Sequence, residues 1–272
     1  FLMIRRQPRS TPSNSSAASD VYKRQPQTVI SSLSEGMRNV GEMLAKFGKV
    51  VIKPADGDGC VGLSVITHPD ETSIALKKVR QCSKLPYFLI QEYVEGINIS
   101  VNVLVAGSNA IPLSVNLQNV ILKGPLEHSC FIGNVVPYME CEEIAISAAL
   151  RAIKTLGFVK GFFGVDIVLK GKDPYIVEVN PRITTSYLAL REVSSSNIID
   201  MIVKAYYSEL DLKPPQLKGI AVVEKMIACQ DVVLRPNDVK IPQGAKLLST
   251  IVDRRPAIKK GDAYAIYVVR KA

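Results

Sequence analysis

Asp166, Glu178 and Asn180 are the residues of this chain whose types and spacing suit chemistry. Glu178 and Asn180 stand two apart in YIVEVNPR, so on a strand both side chains leave by one face. A turn at Gly171-Lys172-Asp173-Pro174 separates that run from GVDIVLK. A hairpin centred on Lys172 sets Asp166 opposite Glu178, and opposed residues bring their Cβ atoms to about 5 Å. Two carboxylates and an amide oxygen then converge. Like charges so close are unfavourable without a cation between them. Hard oxygen donors in this number suit magnesium, completed by water and phosphate oxygens. Strict alternation puts Ile167, Leu169, Val177 and Val179 on the packed face and leaves Val168 and Ile176 beside the acids. The competing reading is a solvated hairpin with one polar face. Arg182 leaves the strand after Asn180-Pro181, placed to donate to a phosphate or a developing oxyanion. A surface ion pair is its plainer role.

A second constellation lies upstream. Gly57, Gly59 and Gly62 spell G-x-G-x-x-G, yet Leu63-Ser64-Val65-Ile66 reads as a strand, whereas a dinucleotide fingerprint needs a helix there. No Gly-Lys-Ser/Thr follows, which excludes a P-loop. The loop instead joins two strands as a flap, and its glycines let backbone N–H groups approach phosphate oxygens. Lys53 ends the strand before it and can put its ammonium on a phosphate; a plain glycine hairpin is the alternative. The run Gln91-Glu92-Tyr93-Val94-Glu95-Gly96 is a strand end able to offer backbone groups to an adenine edge, and an ordinary edge strand reads the same way.

Composition narrows the classes. The 272 residues carry a formal charge of +9. The first 25 residues hold Arg5, Arg6, Arg9, Lys23 and Arg24 against Asp20, which accounts for +4 and leaves +5 for the rest. That argues against a nucleic-acid binder and is compatible with a polyphosphate ligand. No apolar run approaches the ~18 residues that span a membrane. Five scattered cysteines without a CxxC pair, and only His68 and His128, speak against zinc and for reduced thiols in a cytoplasmic protein.

The elements that must position these residues follow from periodicity. Residues 1–27 are basic, rich in Ser and Pro and without a period; they read as a non-native, adaptor-derived segment, so that the true amino-terminal part is expected to be missing. Val40, Met43, Leu44 and Phe47 mark an amphipathic helix after Ser34. A strand, the flap and a second strand follow, then a helix over 70–83 and strands at 87–94, 97–107 and 110–122. A helix spans 140–156, the carboxylate hairpin 164–182 and another helix 197–207; short strands fill 219–272. This order predicts an α+β fold. The expected division is lobe A at 28–95, lobe B at 96–210 and a small β appendage at 211–272.

Taken together, VVIKPADGDGCVG, QEYVEG, GVDIVL and VEVNPR resemble, in order, the motifs of the ATP-grasp superfamily over roughly residues 35–205. The resemblance implies ATP clamped between two α+β lobes, with Lys53 on its phosphates and Glu92 and Val94 at its adenine. It implies two Mg2+ ions, with Mn2+ an acceptable substitute, on Asp166, Glu178 and Asn180, Glu178 bridging. Asn98 stands where many relatives carry a ribose-binding Glu. Within the superfamily, VNLQNVIL and IGNVVPY with VEVNPRITTSYLALREV look closest to archaeal-type carboxylate–amine ligases such as tyramine–glutamate ligase. The implied reaction turns a small carboxylate into an acyl phosphate that an amine then captures. A biotin-carboxylase-like enzyme and a non-catalytic ATP-binding module are the rival expectations. Thr184, Thr185 and Tyr187 either line the acceptor pocket or cap the next helix. Small-molecule substrates are the expected partners, without nucleic acid or membrane, and a homodimer is compatible.

Overall fold

The structure, a computed structural model, describes residues 25–157, 160–207 and 212–271. The expected non-native segment lies outside the described residues up to position 24. Gln27 is already tied to the fold: its carbonyl accepts from the Glu92 N–H at 2.8 Å and its own N–H donates to the Glu92 carboxylate at 3.1 Å. The described chain divides into two compact units, one of residues 26–95 and 120–131, the other of 96–119 and 132–271. No helix among the described residues is long and apolar enough to cross a membrane.

The first unit contains β1 (Thr28–Ser32), α1 (Gly36–Phe47), β2 (Val50–Pro54), β3 (Ser64–Ile66), α2 (Thr72–Cys82) and β4 (Tyr87–Glu92). Its antiparallel sheet runs β1-β4-β2-β3. Val40, Met43 and Leu44 recur at helical spacing and are buried with Val50, Ile52, Ile66, Phe88 and Ile90, alternate residues of the strands. Each such side chain contributes roughly 1.5–3 kcal/mol of burial. Helix α1 stops at Gly48, whose positive φ of 69° lets its N–H reach back to Leu44. The helix expected from position 70 opens with a separate turn, Pro69–Glu71. There the Glu71 carboxylate accepts from the N–H groups of Thr67 (2.8 Å) and His68 (3.0 Å).

The second unit is built on a sheet ordered β12-β14-β10-β7-β6-β5-β8-β9. Its strands are β5 (Ile97–Ala106), β6 (Asn109–Ile121), β7 (Cys130–Val136), β8 (Gly161–Lys170), β9 (Asp173–Asn180), β10 (Ile220–Ile227), β12 (Lys246–Thr250) and β14 (Ala263–Lys271). Its helices are α3 (Glu142–Thr155), α4 (Tyr187–Val193) and α5 (Ile198–Tyr206). The stretch expected as an appendage thus adds three strands to this sheet, while β11 (Val232–Val233) and β13 (Ala257–Ile258) pair as a small ribbon.

The sheet has two unlike faces. On one, Ile99, Val101, Val103, Val165, Ile167, Ile176 and Val179 pack against Ala145, Ala148, Ala149, Ala152 and Ile153 of α3. Small alanines let that helix lie close. The opposite face changes character along the strands. Leu104, Phe162, Val136, Ala221 and Val223 form an apolar half with Ala189 and Leu190 of α4 and Ile198, Met201 and Ala205 of α5. Beyond Asn102 and Ser114 the same face is polar, and the carboxylate pair lies there.

Candidate active site

The β8–β9 hairpin brings Asp166 directly opposite Glu178 and Gly164 opposite Asn180. The route differs from the expected one. The turn is shorter, with Lys170 paired to Asp173, and a bulge between Asp166 and Ile167 adds one residue to β9. Two residues of a bulged strand oppose one of its partner. The faces of the outer half of β9 are therefore exchanged relative to strict alternation: Ile176 is buried against Ile167, and Val177 is only half-buried. Val177 was expected on the packed face and Ile176 beside the acids; the bulge reverses both. Below it alternation resumes, with Val179 in the core and Glu178 and Asn180 on the polar face.

Asp166 is held by amides on both oxygens. Gln118 on β6 donates to Oδ1 at 2.9 Å, and the Asn180 Nδ2 donates to Oδ2 at 3.1 Å. Gln118 is a site residue that the motif reading missed. The signal was present: Asn98, Ser100 and Asn102 alternate on β5, as do Ser114, Asn116 and Gln118 on β6. Ser100 pairs with Asp166 across β5–β8 and with Asn116 across β5–β6. Asn98 is two residues along the same strand, opposite Val168, and so shares the face of Asp166. Among the described residues no three His, Cys, Asp or Glu side chains gather for a metal. The donor set is two carboxylates with amides around them. That set fits a hard divalent ion that keeps several waters and takes oxygens from its substrate.

Arg182 follows Asn180 in the second unit and is exposed, and the other expected phosphate- and adenine-binding residues lie in the first unit. Lys53 on β2 donates to the Gln91 Oε1 at 3.0 Å, and the Gln91 Nε2 donates to the Thr28 hydroxyl at 2.9 Å. Gln91 is buried with both ends of its amide engaged, so it steadies Lys53. The loop after Lys53 joins β2 to β3 as expected of a flap. Gly62 has a φ of 75°, and a Cβ there would stand 2.7 Å from the Pro54 Cγ and 2.9 Å from the Cys82 Cβ, so only glycine fits. Gly59 (φ 59°) is also left-handed, and Cys60 (φ 69°) is so without being glycine. The N–H groups of Val61 and Leu63 bond within the loop, to Asp58 and Cys60. Gly57 sits against Pro54 and the Val61 carbonyl. At the end of β4 the N–H groups of Glu92 and Tyr93 are taken by the carbonyls of Gln27 and Lys49. Val94 follows in the segment that leads to β5.

A family model described as an ATP-grasp domain matches residues 35–186, more than half of the chain, including Lys53, Gln91, Gln118, Asp166, Glu178 and Asn180. The chain belongs to the ATP-grasp family. The tyramine–L-glutamate ligase of Methanocaldococcus jannaschii is 33% identical to this ATP-grasp chain over 128 residues, 46% of the chain and 39% of that ligase. The chain spans less than half the length of the curated relatives it matches. Among solved structures, the carboxyaminoimidazole ribonucleotide synthase of Aspergillus clavatus, complexed with ATP, superposes with a TM-score of 0.68 at 15% identity. That superposition covers 94% of this chain and 67% of the other. The biotin carboxylase of Campylobacter jejuni gives 0.66 at 16% identity, over 94% and 61%. These two likenesses show the ATP-grasp fold, which the mixed helices and strands described above make up.

Proposed function

We propose that the chain is the ATP-binding and catalytic part of a carboxylate–amine ligase that works through an acyl phosphate. The observation that carries the reading is the opposed pair Asp166 and Glu178, with Asn180 two residues on, in a face lined by amides. These three side chains would hold Mg2+, which neutralises the charge gathering on the phosphate oxygens when bound. Lys53, steadied by Gln91, supplies an ammonium for phosphate oxygens, and the glycines of the Gly57–Gly62 loop let backbone N–H groups approach such oxygens. With the Glu92 N–H occupied by Gln27, the Val94 N–H is the donor left for the adenine edge, and the Asn98 amide is offered to the ribose. Arg182 donates to a phosphate of the bound nucleotide and then steadies the tetrahedral adduct as the amine displaces phosphate. Phosphoryl transfer asks mainly for positioning and charge neutralisation, so no protein nucleophile is needed.

The relatives named tyramine–L-glutamate ligase make L-glutamate and tyramine the first acid and amine to offer. The test is ADP release with ATP, Mg2+ and that pair, in the wild type and in Glu178→Gln and Lys53→Ala. Release that falls at least ~100-fold in both variants is the expected result, in line with removing one preorganised charge contact. Undiminished release in either removes the role assigned to it. Nucleotide binding by calorimetry without any release would leave a nucleotide-binding module.

A further inference from the structure

The segment after Asn180 is fastened to the polar face at one point. Asn102 on β5 is fully buried, and its Oδ1 accepts two hydroxyls from residues more than eighty positions away: Thr184 at 3.1 Å and Ser186 at 2.9 Å. Those two hydroxyls stand 2.9 Å apart, and with one proton each they do not bond each other while both donate to Asn102. The Asn102 Nδ2 donates to Ser114 (3.1 Å), Ser114 donates to the Asn116 Oδ1 (2.8 Å), and the Asn116 Nδ2 donates to Ser100 (3.1 Å). This chain of bonds ends at Ser100, which pairs with Asp166. A second contact is independent of hydrogen bonding. A Cβ built on Gly164, the residue opposite Asn180, would overlap the Thr184 methyl. The bare backbone at 164 is what lets Thr184 settle on the sheet beside Asn180. Between the Asn180 strand and Thr184 lie Pro181, Arg182 and Ile183.

We propose that Asn102, Thr184 and Ser186, with Gly164 beneath them, form a latch that seats the 181–186 segment and so positions Arg182. The three polar residues are positioning residues that act through Arg182; none is assigned a contact with substrate. The inference rests on the reading of Arg182 given above, and it gives Thr184 a role besides the two expected, since its hydroxyl donates to Asn102. A buried amide that accepts two hydroxyls and donates to a third leaves the segment one seating, because any other leaves buried polar groups unpaired.

Two readouts on this chain test the latch, with the melting temperature followed throughout. The first is limited trypsin cleavage at the Arg182–Ile183 bond, located by mass spectrometry. Thr184→Val keeps the methyl against Gly164 and removes the hydroxyl. It is expected to speed that cut, whereas Thr184→Ser keeps the hydroxyl and stays near wild type. Should Thr184→Val melt early, Ser186→Ala replaces it. The second readout is a double-mutant cycle on Mg2+-dependent ATP affinity. Thr184→Val is expected to weaken binding about three- to tenfold, the range for one lost hydrogen bond. In an Arg182→Ala background it is expected to add nothing, since the latch acts through that side chain. Losses that multiply, or a cleavage rate unchanged by Thr184→Val, overturn the proposal. Glu178→Gln separates this from the ligase reading. If Glu178→Gln and Arg182→Ala bind Mg2+ and ATP like the wild type, or the wild type binds neither, the site assignment fails and the cleavage arm alone decides the latch.

Discussion

Ser64 stands on the helix-covered face of the first unit's sheet, in register with Ile52, and it is fully buried. Its hydroxyl has no hydrogen-bond partner among the described residues. An unpaired buried hydroxyl costs about 1–3 kcal/mol of desolvation. Ser64→Ala is therefore expected to be neutral or to stabilise by up to ~1 kcal/mol, seen as an unchanged or higher urea midpoint at constant slope; a clear loss would mean that the hydroxyl has a use. Tyr138 is the opposite case. Its hydroxyl donates to Glu140 at 2.6 Å, and that bond, with a smaller contribution from burial, pushes its pKa from 10.0 up to about 12. The folded state thus holds this proton more tightly than the unfolded one. The stability it contributes is complete below pH 10 and is lost as pH climbs through 12. Subtracting the ultraviolet phenolate titration of Tyr138→Phe from that of the wild type is expected to leave one phenol ionising near 12. At this scale the gathering of Asp166, Glu178 and Asn180 on one face was legible, because they sit in short runs whose neighbours fix their direction. Gln118 was not. Its claim depends on a partner 48 residues away, and residue type alone does not disclose that bond.

The bulge in β9 shows what elements add. Counting outward from a three-residue turn and counting from the shorter turn plus one bulge residue both pair Asp166 with Glu178, so the pairing was readable while the path to it was not. The two paths differ in which residue is packed. Ile176→Ala is expected to cost about 2–4 kcal/mol, as a buried side chain paired with Ile167, and Val177→Ala under ~1 kcal/mol. Chemical denaturation of the two variants measures both, and the reverse ranking would mean that β9 runs without its bulge. Strand β7 escaped the sequence reading for a related reason. CFIGNVV is short and carries Gly133 and Asn134 at its centre, where β propensity is weak. Gly133 is needed because a Cβ there would overlap the Val223 carbonyl of the neighbouring β10, a contact between residues far apart in the chain.

For the molecule as a whole, ligand linkage offers the broadest check. A nucleotide bound only by the folded chain stabilises it by about 2.7 kcal/mol at one hundred times its dissociation constant. ATP with Mg2+ is expected to raise the melting temperature by several degrees, and ATP with a chelator by less. Equal shifts would detach the carboxylates from nucleotide binding. The α+β class was readable from the order of periodic segments, and the packed faces from their alternation. The joining of β10, β12 and β14 to the same sheet was not, because it rests on pairings such as Ala221 with Val136, between distant stretches each of which reads only as a short strand.

Strand β9, the bearer of Glu178 and Asn180, is the outermost strand on its side of the sheet among the described residues. A straight rim strand is an open template on which another chain can dock and grow an aggregate. Here the extra residue breaks the regular spacing of backbone donors and acceptors, and negative charge stands at that break. The distortion that brings the acids face to face also makes the rim a poor seed for misassembly, so a variant that smooths it would be expected to lose solubility.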